Sequence, residues 1–408
     1  MPQILITDDM IAKTVLYNLE NNCVIADSVY RGHVKEFYKI GASVRIKRPL
    51  MLLAVNGKVR QQQDIVESYT TLSVDQQEHT SFAFSQIDRT LTIKEFNKTY
   101  CRPAGIALAN AVDEYLAGLY SKFWLSGGTP GTTPQTFAAM GDQATILDDF
   151  AVPDDGERMF VMSPKMRWYM ADALKGSFDQ QMAGETVRKG WLPPIANFTL
   201  RGDQNVVKHT CGTRTDTPGD CLINNGTLNG NSTPTASTIT LTIDDSSVAA
   251  ATIKAGDVFT IDNVYAVNPV SKQSTGRLQQ FVVTTLSTLS GGGGTVTVSP
   301  NIVTTGPYQN VDAAPVDGAG LNFLGAASST YAQNMAFHRN AIALAVVPIE
   351  LPSAASAKAR ASHNGLSIAM VQDFDIDNYD EVTRLDILFG AVAQYPETGS
   401  RLWGSSTG

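Results

Sequence analysis

Arg102–Trp124, RPAGIALANAVDEYLAGLYSKFW, decides how the rest of the chain is read. Ile106, Ala109, Val112, Leu116, Leu119 and Phe123 recur at steps of three and four, the period of a helix with one buried stripe. Pro103 stands where a first turn tolerates a missing N–H, and Gly127-Gly128 follows the last periodic residue. Such a helix would span roughly 35 Å, enough to cross a domain. Leu108, Tyr115 and Tyr120 flank the stripe, so more than one face can be covered. Alone, the segment fits a long core helix of any α/β protein; its surroundings narrow the reading.

Upstream, Thr7 is a good N-cap, Asp8 and Asp9 suit a first turn, and Ile11, Val15, Leu16 and Leu19 give one apolar face. This predicts a short amphipathic helix, as plausible a docking arm as a domain element. From Ala42 the pattern turns to strands. Val44-Arg45-Ile46-Lys47 alternates apolar and basic, and Leu52-Leu53-Ala54-Val55 runs into Asn56-Gly57, a two-residue hairpin signal. A long polar stretch follows before Phe82 and Phe84 alternate. The expectation is a projecting two-stranded loop, weak alone in water and steadied by a neighbouring subunit.

Downstream, Met159–Met162 reads as a buried strand, and Ser163-Pro164 opens a helix through Leu174 with Ser as cap and Pro first. Between Glu185 and Glu350 there is no glutamate, and between Arg277 and Arg339 no lysine or arginine. Within that span TITLTIDD, AGDVFTIDNVYAV, QQFVVTTL and TVTVSP read as strands separated by Gly-rich turns, with Gly291–Gly294 as one flexible turn. A small β barrel or sandwich inserted into an α/β chain is expected. Ala341–Ile349, Ser367–Val371 and Leu385–Ala393 are the closing strands.

With 408 residues the chain suits two or three domains. It is 43% hydrophobic but only 17% charged, and its formal charge of −8 argues against non-specific adhesion to nucleic acid as the main role. No run reaches the ~20 apolar residues of a membrane span. The opening MPQILITDD does not read as a secretion signal, so a chain kept in a cytoplasm is expected. In that compartment free thiols are favoured over a Cys211–Cys221 bridge.

Five scattered histidines, and the lack of nucleophile-elbow, dinucleotide or phosphate-loop motifs, leave no catalytic constellation, and neither activity nor cofactor is expected. Asp373, Asp375, Asp377 and Asp380 could offer oxygens to a hard cation. The calcium-loop pattern fails, with Asn378 sixth and Arg384 twelfth, so a solvated or Arg-paired strand face is favoured. Arg45, Lys47, Arg48, Lys58 and Arg60 form the one dense basic region. Lacking interleaved aromatics, it suits the acidic surface of a neighbouring subunit better than nucleic acid.

The order of these parts resembles the major capsid proteins of tailed bacteriophages, with their Hong Kong 97-type fold, in the podovirus-type branch that carries an inserted domain. IKEFNKTYCRPAGIALANAVDEY resembles the lead-in to the family's spine helix, and MFVMSPKMRWYMADAL its strand–Ser/Asn-Pro–helix unit. The strands around Ala255-Gly256-Asp257 resemble the inserted domain, AFHRNAIALAVVPIELP the return strand, and LDILFGAVAQYPETG the closing stretch with Phe389-Gly390 and Pro396-Glu397.

The resemblance implies an α+β chain in six parts. These are an N-terminal arm (1–41), an extended hairpin loop (42–90), the spine helix of a peripheral domain (91–128), the first part of an apical domain (129–200), an inserted β barrel (201–322) and return strands with a tail (323–408). It further implies pentamers and hexamers of the chain closing into an icosahedral shell around double-stranded DNA. A scaffolding protein and a portal are implied partners, with assembly in the host cytoplasm and no membrane. Arg45, Lys47, Arg48, Lys58, Arg60, Phe82 and Phe84 are the candidate interface residues, and removal of residues 56–78 is expected to leave folded subunits that close no shells. The alternative is a secreted or surface β-rich adhesin, suggested by the Thr/Ser/Asn-rich middle.

Overall fold

The computed structural model describes residues 8–34, 37, 43–54, 56–60, 62, 67–85, 100–174, 190, 192–214, 221–224, 236–245, 251–290, 293–353, 355–376 and 380–405. They fall into two compact units. One comprises Met1–Ile46, Thr70–Ala117 and Ile342–Gln394; the other comprises Lys47–Tyr69, Gly118–Ala341 and Tyr395–Gly408. Among the described residues no helix is long and apolar enough to cross a membrane.

The first unit is built on strands Ile342–Val347, Asp380–Ala393, Leu366–Asp375 and Ala357–His363, hydrogen-bonded in that order, with Gln76–Ser85 also pairing along Asp380–Phe389. The helix Asp8–Asn22 lies on the last two of those four strands. Ile11, Ala12, Val15, Leu16 and Leu19 are buried, so the apolar stripe in the sequence docks within the unit and is not a free arm. The long helix Arg102–Gly118 passes close by. A Cβ on Gly105 would stand 2.9 Å from Val15 O and from Asn18 Cβ, so glycine permits that approach.

The helix differs from its expected form. It has 17 residues, about 25 Å of helix, and gives way to a 3-10 turn at Leu119–Lys122 and a strand at Leu125–Gly127. Its buried face is Ala104, Leu108, Ala109, Val112, Asp113, Leu116 and Ala117, while Ile106 is exposed. Asp113 is 1% exposed, and its carboxylate accepts hydrogen bonds from Val24 N (2.7 Å) and Ala26 N (2.9 Å). It thereby caps the four-residue helix Ile25–Ser28 from another element, where no local side chain does so. The family-like lead-in before Tyr100 lies outside the described residues.

The Asn56-Gly57 hairpin does not form. Described residues 48–54 and 56–60 contain no strand. Ser43–Lys47 instead pairs with Tyr69–Ser73 across the loop between them. Burial decides this pairing: Val44, Ile46 and Leu72 pack with Phe37, Ala343 and Ala345, whereas Leu52 stands exposed. The Phe389-Gly390 motif has a plain cause here. Phe389 meets Tyr115 edge-on at 5.4 Å, and a Cβ on Gly390 would lie 1.9 Å from Ser73 O.

In the second unit, strands Leu125–Gly127, Gly399–Trp403, Thr330–His338, Arg158–Met162 and Thr199–Gly202 form a mixed sheet, with Lys208–Thr210 pairing onto Thr330–Ala332. The helix Pro164–Leu174 follows Arg158–Met162 as expected; Ser163 Oγ accepts the Met166 amide, and Ser163 N donates to Asn334 Oδ1 at 2.8 Å. A second, antiparallel sheet runs in the order Leu321–Phe323, Val258–Val267, Ser274–Val283, Gly293–Ser299, Ile239–Asp245, Cys221–Ile223. The alternating apolar residues of these strands converge: Leu241, Ile243, Phe259, Phe281, Val296 and Val298 share one core. The strand Cys221–Ile223 also bonds the segment that leads into Leu321–Phe323, through Ile223 N to Ala319 O (2.9 Å) and Gly318 N to Ile223 O (2.8 Å). Of the expected glycine turn, Gly293 and Gly294 are strand residues: they pair with Asp244 and Ile243, and a Cβ on Gly293 would reach Ile243 O at 2.9 Å. Gly291 and Gly292 lie outside the described residues. All four cysteines are buried and none is in a disulfide.

Candidate assembly surface

The exposed segment between the paired strands carries the basic region singled out in the sequence. Arg45 and Lys47 occupy the wet face of Ser43–Lys47, which alternates exposed and buried. Lys47 Nζ pairs with Glu67 at 3.1 Å, and Arg48 pairs with Glu397 of the closing Pro-Glu motif while its amide donates to Ser68 O. Lys47 and Arg48 are therefore engaged within the chain. Lys58 and Arg60 are exposed, alongside Leu50, Leu52 at 67% and Val59 at 82% exposure. The loop thus presents apolar and basic groups together.

Phe82 is half-buried and stacked on Tyr100 at 5.6 Å, so its ring belongs to the chain's own packing; the Phe84 side chain lies outside the described residues. Asp373 and Asp375 share a strand face, and Asp375 stands opposite Asp380 in the ladder. Asp373 accepts from Ser356 Oγ at 2.6 Å and the Phe374 amide, which holds its carboxyl below the usual value. Asp377 lies outside the described residues, and among those described these aspartates join no group of three ligand atoms.

Two groups do bring three such atoms together. Asp155, Glu157 and His338 form one, with His338 Nε2 3.1 Å from both Asp155 oxygens. The other is buried: His209, Cys211 and Asp257. Asp257 sits at the Ala-Gly-Asp turn and receives His209 Nε2 (2.8 Å), Arg214 Nη1 (3.2 Å), Gly212 N (3.2 Å) and Lys254 N (2.9 Å). Burial alone would raise its carboxyl, but the His209 hydrogen bond and the Arg214 charge outweigh it and hold it below the usual range. Tyr120, in the 3-10 turn, bonds His209 Nδ1 at 2.9 Å. With Asp257 committed to these donors and a guanidinium bonded to it, the cluster suits a structural polar knot better than a cation. The turn at Asp257 is visible in the sequence; the bonded pairs of the knot, 89, 48 and 43 residues apart, carry no spacing signal.

A sequence model of the family described as "P22 coat protein - gene protein 5" matches residues 5–404. The chain belongs to the P22 coat protein family. Its fold is the Hong Kong 97-type fold of tailed-phage major capsid proteins. Among solved structures it is similar to one from Mycobacterium phage Che8, with 14% identity over 95% of this chain and 92% of that one, at a TM-score of 0.50. Looser likenesses are to the capsid of Cyanophage P-SCSP1u (9% identity, 89% and 84% covered, TM-score 0.45) and that of Ralstonia phage GP4 (10%, 90% and 84%, 0.44). No curated protein matches the chain. As a member of this coat family, the chain is a phage capsid protein, a structural component of the virion shell. That assignment replaces the adhesin alternative.

Proposed function

We propose that copies of this coat protein associate as pentamers and hexamers and close into an icosahedral shell around double-stranded DNA, with the loop 48–68 seated on a neighbouring copy. The family match over residues 5–404 carries the shell role. The loop's part rests on Leu50, Leu52 and Val59, apolar side chains exposed on one copy beside Lys58 and Arg60. Burial against a second copy removes them from water, and the two cations meet an acidic neighbouring surface; the chain's net charge of −8 supplies acidic surface in excess. Many such modest contacts sum to a stable shell while each stays correctable during growth.

Residues 201–322 are read as an inserted β barrel that braces the capsomer. The backbone hydrogen bonds from Ile223 to Ala319 and from Gly318 to Ile223, which tie one terminal strand to the segment leading into the other, support that reading. A scaffolding protein and a portal are the further assembly partners, the host cytoplasm is the site of assembly, and the role is structural with no reaction.

The test is a deletion of residues 50–66 bridged by a short Gly-Ser link. The broader deletion of 56–78 is unsuitable, since it removes Leu72, which is fully buried, and the start of Gln76–Ser85. The narrower variant is expected to give folded subunits or capsomers that close no shells. Shells of normal yield and diameter would overturn the loop's assigned part.

A further inference from the structure

Arg401, on the closing strand Gly399–Trp403, is fully buried, and its Nε, Nη1 and Nη2 have no hydrogen-bond partner among the described residues. Its guanidinium carbon lies over the Tyr120 ring and over the Trp403 ring, 5.6 Å from each centroid. Ring faces stabilise a cation but accept none of its in-plane N–H groups. Asp257 is the buried carboxylate of this cluster, and it is already held by His209, Arg214 and the amides of Gly212 and Lys254. Tyr120 and Cys211 offer no charge: burial pushes both groups up, so they stay protonated at neutral pH. Burial lowers Arg401 to about 10, and it remains a cation there. A buried cation with all its donors idle is unstable unless an acceptor is present.

We propose that a small monovalent inorganic anion of chloride size is bound inside the second unit by the Arg401 guanidinium, beside Tyr120 and Trp403. One guanidinium balances one negative charge, which disfavours divalent and other multivalent ions. Aromatic walls limit the size: the Tyr120 and Trp403 rings each lie 5.6 Å from the guanidinium carbon, and Trp403 is fully buried. A cation at the neighbouring His209, Cys211 and Asp257 group is disfavoured by the same guanidinium. The anion neutralises the guanidinium of the closing strand where it lies over the Tyr120 ring, so halide becomes a structural ligand of the coat subunit.

The experiment compares thermal unfolding of the full chain in sodium gluconate with sodium bromide at equal ionic strength. A saturable upward shift of a few degrees in bromide is expected, reached at millimolar concentration, and absent in Arg401→Met. Equal midpoints in the two salts, or a shift that appears only near molar bromide, would overturn the proposal. Should the variant not fold, crystals of the unmodified chain grown in bromide decide. An anomalous peak at the bromine edge beside Arg401 supports the site, and ordered density there without anomalous signal is water and refutes it.

Discussion

Replacing Asp113 by alanine removes a side chain that ties the long helix to the Val24–Ala26 backbone. Its two oxygens accept at 2.7 and 2.9 Å, and Ala26 is fully buried, so its amide finds no water when the carboxylate goes. Hydrogen bonds to a charged group are worth about 1.5–3 kcal/mol each. Val24 is only partly buried, and water takes over part of its loss. The sum is a destabilisation of about 3–4 kcal/mol for Asp113→Ala, and roughly half of that for Asp113→Asn, which keeps one acceptor oxygen. Denaturant unfolding of the soluble subunit gives the free energy, and hydrogen exchange at Ala26 reports where it was lost. A change below about 1 kcal/mol with Ala26 still protected would refute the cap.

Gly390→Ala places a Cβ 1.9 Å from Ser73 O, which forces backbone apart and should cost about 3 kcal/mol, read as a lowered denaturant midpoint. Asp257 has a folded value below its unfolded one, so its stabilisation is present above about pH 4 and fades as pH falls through the folded value. Unfolding temperature should therefore drop on acidification below pH ~4, with a shallower slope in Asp257→Asn; equal slopes would remove Asp257 from the account. Leu52→Asp changes an exposed side chain, so subunit stability should stay within about 0.5 kcal/mol while shell yield, measured by sedimentation, collapses.

Period locates three of the helices and about half of the strands among the described residues. The stripe Ile11–Leu19, the alternation of TITLTIDD and the Ser-Pro helix start all correspond to observed elements. What fails has a common cause: contacts made by residues distant in sequence. Nothing near Asp113 in the sequence announces the amides it receives, 87 and 89 residues away. Asn56-Gly57 is good local turn chemistry, yet Leu52 ahead of it enters no core, whereas Val44, Ile46 and Leu72 do. Gly293-Gly294 suggests flexibility and instead allows close strand approach. Among the interface candidates, charge density marks a loop that is exposed, but it cannot separate Lys58 and Arg60 from Lys47 and Arg48, which have partners in the same chain. The Tyr120–His209–Asp257–Arg214 knot is invisible for the same reason.

The most direct measurement is electron microscopy of particles formed when the full chain is expressed alone and with the scaffolding protein proposed for it. Closed icosahedral shells whose rings of five and six are copies of this chain are predicted, with density for residues 48–68 lying on an adjacent copy. A chain that sediments only as monomer under those conditions, with no shells, tubes or rings in the field, would contradict the account.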